Sequence, residues 1–582
     1  MFILNNIPYL LFSAILGNIF YISFISIFSW IDFYWYFYYL QLLFFILAFF
    51  IFKKYKKLFV VEKANYFYLL FPYLLIIFLR LPIYTKVHDD LTYYLVAGEY
   101  TKNLWTNPHF LPTYAIYFYN ALPLFYHTLV NFLGLRIALF ISMFTLSIWM
   151  VSLNLRFKKL LKTKTQRYLA DFFFISFPFW PHLMAIHGSF MTDFFSLVFI
   201  LEAFYQFINK EKDKTFALIS FIVAGLVKQS SIFYVVPVFL YLILNGLRKI
   251  NWLKFFLFFA IFFTFFFTLY LETGNPLFAG LFKTPLDKLF KSPIEPMVGT
   301  NLSLFGGKNF FYKFTWPLIA QFSPNFAEGF VSKWAKIFFT PHLALPYLFS
   351  LIFFFKKRDL LSLLLFISFI FWSFHIGYAR YVIPLIAIAW VYLIIKFDFD
   401  WLKRIKRPIT YFLYLLIIVL SLSSIKSDFG WRPYHYLPFF KQLYLNGWQL
   451  VFKDRYADIK KEFLGEFNDF DRIAIVRGEK AYFYGFIGSS YGLKLIEAHN
   501  LDFYKKVLSS NFSWHLKNNL KKFLESKKIL LIVDTMSVPE EYVKDNYFYK
   551  NYQCKKIGNT PEIKSIQFAS FSSIKKYACI KN

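Results

Sequence analysis

Apolar runs long enough to cross a bilayer, separated by short loops rich in lysine and arginine, recur from the amino terminus to about Ser424. A soluble domain cannot bury so much apolar surface: 58% of the 582 residues are hydrophobic and only 17% are charged. The runs are Pro8–Trp30, Phe33–Phe52, Tyr66–Tyr84, Leu135–Leu155, Tyr168–Ile186, Phe194–Ile208, Thr215–Val227 and Ile232–Leu247. Phe255–Leu271, Ile337–Phe355, Leu360–Ile376, Tyr381–Ile395 and Pro408–Ser424 follow, which makes about thirteen expected spans.

A net charge of +31 invites a nucleic-acid reading, but the basic residues fall in the short loops, as the positive-inside rule requires. Those loops are Lys53–Lys57, Arg156–Arg167, Lys210–Lys214, Arg248–Lys254, Lys356–Arg358 and Lys403–Arg407. If the spans alternate, all six lie on one side. That side is the cytoplasm, the amino terminus lies there too, and the first span reads as an uncleaved anchor.

The expected organisation has three parts. Residues 1–65 supply two spans and a basic loop. Residues 66–425 form a helical membrane module with external loops at 85–134 and 272–336, and residues 426–582 form an extracytoplasmic α/β domain. In that tail Ile473–Val476 and Ile529–Val533 have the apolar character of buried strands. Cys554 and Cys579 are the only cysteines, and they are either a disulfide favoured by an oxidising exterior or two free thiols.

The chemistry is expected at the first external loop, where Val87-His88-Asp89-Asp90-Leu91-Thr92-Tyr93-Tyr94 sets two carboxylates just beyond an apolar segment. Adjacent residues of a helix point about 100° apart, so the pair cannot readily address one reacting atom. Asp89 is the candidate base; Asp90 orients a neighbour or caps the next helix, and a plain solvated helix start also accommodates both. Lys228, Arg380 and Arg80 lie near external span ends, where a cation either stabilises a leaving anion or only snorkels to the interface. Asp193, just after His187 and Thr192, either supports such a site or caps a helix. Glu202 falls mid-span, where an ionisable group marks either function or a polar partner on another helix.

The order of these features resembles the GT-C glycosyltransferases, in particular the protein O-mannosyltransferase and aminoarabinose transferase-like branches. The resemblance rests on His88-Asp89-Asp90-Leu91-Thr92-Tyr93-Tyr94, Pro123-Leu124-Phe125-Tyr126, Gly225-Leu226-Val227-Lys228 and Arg380-Tyr381-Val382-Ile383-Pro384, and it covers roughly Tyr66 to Ser424. Two spans precede the helix that opens the family pattern, and the second acid is Asp where several relatives have Glu. The resemblance implies transfer of a sugar, with inversion, from a polyprenyl-phosphate donor at the external face. It assigns Asp89 and Asp90 to catalysis, Lys228, Arg380, Tyr381 and Arg80 to the donor phosphate, and Asp193 with His187 to acidic or acceptor support. Acceptors in such families are lipid, glycan or protein. No cofactor is expected; His88, His182 and His187 beside the acidic pair allow a divalent metal, but no spacing requires one. A polysaccharide polymerase or ligase, and less so a flippase of lipid-linked glycans, shares the many spans and is the competing expectation.

Overall fold

The computed structural model describes residues 2–28, 31, 33, 36–61, 66–80, 119–179, 192–209, 213–228, 232–276, 289–290, 310–320, 333–375 and 379–396 of the helical part. In the tail it describes residues 469–476, 495–497, 505, 508–509, 517, 521, 524–534, 544–545, 547–559 and 574–582. The helices are α1 (Phe2–Ile27), α2 (Phe37–Ile51), α3 (Phe67–Arg80), α4 (Ala121–Leu133), α5 (Leu135–Phe157), α6 (Lys164–Ser176) and α7 (Asp193–Ile208). They continue with α8 (Thr215–Val227), α9 (Val236–Gly246), α10 (Trp252–Thr273), α11 (Phe310–Ile319), α12 (Lys333–Lys357), α13 (Leu360–His375) and α14 (Ala379–Lys396).

Every apolar segment expected from the sequence up to Tyr381–Ile395 holds one of these helices; Pro408–Ser424 lies outside the described residues. Their lengths do not support a count of thirteen crossings. Among the described residues three helices are long and apolar enough to cross a membrane: Ile3–Ile27, Ile137–Leu160 and Trp252–Leu271. A fourth would combine α2 with the 3-10 segment Lys53–Phe59, bent from it by 71°. Ala121–Leu133, Thr215–Val227, Leu360–His375 and Tyr381–Lys396 are apolar but shorter, below the roughly 20 residues a straight crossing needs.

Two of the long helices play opposite parts. The apolar window of α1 is 78% buried, because α1 packs against α2, α4, α5 and α10 at once. That of α10 is 28% buried and turns Leu253, Phe256, Leu257, Phe263 and Phe267 outward. An apolar helix whose side chains are not buried against protein needs lipid around them to keep them from water. The chain is a membrane protein.

Two expected external loops contain helices. Inside 85–134, α4 buries Ala121, Leu122, Leu124, Tyr126 and His127 against α1 and α5, so this stretch belongs to the bundle. Inside 272–336 lies α11, packed on α12 and α13. Polar contacts fix α4 to the first two helices: Asn18 donates to the Ala121 carbonyl, Gln41 to Asn18, and Thr128 to Gln41, each at 2.8 Å. Interhelical side-chain amides recur where no water can serve the polar groups.

The tail contains a small sheet of β1 (Arg472–Val476), β2 (Leu495–Glu497), β3 (Lys528–Asp534), β4 (Tyr552–Asn559) and β5 (Ile574–Lys581), with helix α15 (Tyr547–Asn551) before β4. Its order is β2-β1-β3-β5-β4. β1 runs parallel to β2 and β3, while β5 runs antiparallel to β3 and β4. Both apolar runs expected as strands are its central strands, and Ile473, Ala474 and Ile529–Val533 are buried. Cys554 and Cys579 stand opposite each other on β4 and β5 and form a disulfide, which resolves the alternative the spacing left open.

Candidate functional site

Helices α7 and α8 are an antiparallel pair joined by the short connection around Asp213, so the start of α7 and the end of α8 lie on one face. Asp193 is the first residue of α7 and Lys228 closes α8 in extended conformation, with its N–H donating to the Ala224 carbonyl at 2.9 Å. Ser196, one turn into α7, donates to that same carbonyl at 3.0 Å and locks the two ends together. The Lys228 ammonium lies 2.5 Å from Asp193 Oδ2, with side-chain exposures of 11% and 6%. A carboxylate at a helix start and an ammonium at a helix end each suit the local dipole, so part of the pairing is structural.

Asp193 Oδ2 is buried without a hydrogen-bond partner among the described residues, so its contact with Lys228 is ionic and not an aligned hydrogen bond. The expected capping role is absent: Thr192 is the N-cap and makes no side-chain cap bond.

A third residue arrives from α14, which packs against α7. The Lys228 ammonium stands 5.8 Å from the centroid of the Tyr381 ring, the third residue of α14. This is cation–π range, and an aromatic face holds a cation without neutralising it. A separate polar contact joins two residues that the sequence did not single out. The Tyr234 hydroxyl, just before α9, is 2.8 Å from His375 Nδ1 at the end of α13. Phe233 and Phe371 pack on the His375 ring, with centroids 5.3 and 5.9 Å away. No motif linked Tyr234 to His375; a hydrogen bond across 141 positions is made by packing alone.

The other expected site residues are placed less fully. Arg80 ends α3 and Arg380 is the second residue of α14; of these two only the backbone is described. Asp89, Asp90 and His187 lie outside the described residues, as do His88 and His182. Among the described residues no group of three or more His, Cys, Asp or Glu could hold a metal ion.

Glu202 belongs to a different constellation. Its carboxylate accepts from Arg156 twice, at 2.8 and 2.5 Å, from Trp149 Nε1 at 2.8 Å and from Gln206 Nε2 at 2.7 Å. Arg156 also donates to the Leu58 carbonyl at 3.0 Å, with the rings of Phe59 and Tyr205 5.3 and 5.0 Å from its guanidinium. Of the two sequence alternatives for Glu202, the polar partner on another helix is the one realised. Arg156 itself, which the loop reading put on the basic surface, is fully buried.

No family model matches the chain, and no curated protein matches it. Among solved structures the chain is similar to ArnT from Cupriavidus metallidurans bound to undecaprenyl phosphate, with a TM-score of 0.46 and 11% identity over 87% of this chain and 96% of that one. A superposition this loose fixes neither family nor residue correspondence.

Proposed function

We propose that the chain is a glycosyltransferase that moves a sugar from a polyprenyl-phosphate donor to an acceptor at the external membrane face. The observation that carries this reading is the buried Lys228 ammonium held at a common helix-end face by Asp193 and Tyr381, beside Arg380 at the start of α14. A phosphate leaves as an anion, and a cation fixed before the reaction stabilises it without reorganisation. The spans expected from the sequence place this face outside, and the disulfide in the tail suits an oxidising exterior.

In the proposed reaction the acceptor hydroxyl or amine attacks the anomeric carbon while Asp89 takes its proton. The bond from that carbon to the phosphate oxygen breaks, and its electron pair leaves with the polyprenyl phosphate. Lys228, Arg380 and Arg80 receive the anion, with Tyr381 beneath the ammonium and Asp90 orienting the loop. Asp193 holds Lys228 in place, and with His187 borders the acceptor. A single displacement inverts the anomeric centre. No step calls for a metal.

The test is release of polyprenyl phosphate from a panel of polyprenyl-phosphate sugars by the purified full-length protein, with membrane extract as acceptor. Release that depends on Asp89 and Lys228 is the expected result. Intact donors in the presence of folded wild-type protein would remove this reading in favour of a polymerase or ligase acting on diphosphate-linked glycans. Equal release by Asp89→Asn would remove the assigned base.

A further inference from the structure

Helices α7, α9, α13 and α14 pack in a closed cycle: α7 on α9, α9 on α13, α13 on α14, and α14 on α7. Two side-chain contacts join the connections at one end of this cycle. Lys228, which follows α8, meets Tyr381 of α14, and Tyr234, which precedes α9, meets His375 of α13. Six positions lead from Lys228 to Tyr234, and six from His375 to Tyr381. A segment that short spans at most about 20 Å, so the Tyr234–His375 contact stands on the same rim as the Lys228 ammonium.

The chemistry of this second contact is not that of a phosphate site. Tyr234 is buried, and its hydroxyl lies 2.8 Å from His375 Nδ1. The two nitrogens of an imidazole occupy different edges of the ring, so this bond fixes the ring and leaves Nε2 for another partner. His375 is exposed, and its Nε2 makes no hydrogen bond among the described residues. Phe371, one turn earlier on α13, lies nearly parallel to the imidazole at an interplanar angle of 14°. Phe233 stands 5.3 Å from His375 and 5.2 Å from Phe371, and these two phenyl rings are 46% and 40% exposed.

An aromatic belt at a membrane surface is built from Tyr and Trp whose polar ends reach water. Here the tyrosine hydroxyl is spent on a histidine, and the exposed rings are phenylalanines grouped around that histidine. Apolar ring faces beside a few fixed polar atoms are the means by which a site holds and orients a small ligand. A sugar ring matches both, since it offers a face of C–H bonds and a rim of hydroxyls. We infer that Phe233, Tyr234, Phe371 and His375 form the subsite for the sugar carried by the donor. The phenyl rings take its C–H face, Nε2 hydrogen-bonds one hydroxyl, and Tyr234 holds the imidazole in position. This rests on the transferase reading, which puts the donor phosphate at Lys228; His375 sets specificity and takes no part in proton transfer.

The test is competition between bare polyprenyl phosphate and the same lipid carrying mannose, glucose or aminoarabinose for the purified full-length protein, read by native mass spectrometry. Wild type prefers one sugar-bearing lipid over the bare one by about tenfold, the worth of one hydrogen bond to the imidazole. His375→Phe keeps the aromatic stack and removes the nitrogen, so the preference falls toward one while bare polyprenyl phosphate binds as in wild type. Tyr234→Phe lowers the preference less, and Tyr39→Leu, an exposed aromatic position on α2, leaves it unchanged. Lys228→Gln weakens both lipids together and keeps their ratio. No preference for any sugar in wild type, an unchanged preference in His375→Phe, or equal loss of both lipids by His375→Phe would each overturn the subsite and leave the phosphate site standing. If wild type retained neither lipid, the transferase reading would fall and the subsite with it.

Discussion

Helix α7 carries two acids that the fold treats in opposite ways. Glu202, in its middle, is closed off: two bonds from Arg156, one from Trp149 and one from Gln206 satisfy the carboxylate, and side-chain exposures in the ion pair are 1% and 0%. Asp193, at its start, has an ionic contact with Lys228 and a buried oxygen without a hydrogen-bond partner among the described residues. A saturated buried pair holds helices in register, and its charges are spoken for. The Asp193–Lys228 pair instead ties the start of α7 to the end of α8 at one face of the bundle. Depth in the membrane alone would have suggested the reverse, since the mid-span acid is the usual suspect for function.

The comparison can be broken at either end, and the largest effect belongs to Glu202. Arg156→Ala strands its carboxylate and is expected to cost about 3–5 kcal/mol, read as loss of thermal stability in detergent. If Arg156→Ala unfolds no more easily than wild type, the network is not a structural lock. Lys228→Gln keeps much of the side-chain volume and can still donate a hydrogen bond to Asp193, so it should cost less stability than Arg156→Ala while donor turnover falls roughly a hundredfold. A stability loss as large as that of Arg156→Ala, with turnover per folded molecule unchanged, would make the two pairs equivalent.

Trp149→Phe sharpens the contrast by taking one donor of four from Glu202. The expected cost is about 2 kcal/mol, with no change in turnover, measured on the same preparation. The smallest effect concerns the exposed Asp213 cluster. Burial alone would raise its pKa, but the Thr215 hydroxyl and N–H and the charges of Lys54 and Lys254 hold the carboxyl below the ordinary value. A depressed native pKa contributes stability above the unfolded value and loses it as pH falls through the native one. A wild-type melting temperature that declines with acid more steeply than that of Asp213→Asn is therefore expected, by a small margin because both partners are substantially exposed. Parallel pH profiles would remove the linkage.

The helices were legible because lipid-facing and core-facing helices are both apolar, so composition betrays each. For that same reason composition does not separate α1, which is buried centrally, from α10, which is not. Arg156 was misread as surface because a basic residue at a helix end has the same sequence signature whether it snorkels or turns inward to a carboxylate. The helix α4 was hidden by its composition: His127, Thr128 and Asn131 interrupt its apolar run, so the stretch read as loop, whereas α8, also thirteen residues long, is apolar nearly throughout and read as a span. Of the site, Lys228 and Tyr381 were reachable as motif positions and Asp193 from its place at an external turn. The Tyr234–His375 contact was not, since neither residue carries a local signal.

The sequence by itself determined a membrane protein of many apolar helices, the central strands of its tail, and the charged residue types that stand at the helix ends. Those are properties of composition and short-range periodicity, which a chain carries without its fold. Which charges meet was decided by tertiary structure alone. The pairing of Glu202 with Arg156, of Asp193 with Lys228, of Lys54 with Asp213, and of Cys554 with Cys579 each joins separate elements. The energy of a charge depends on burial and partners, and both come into being only when the helices and strands pack.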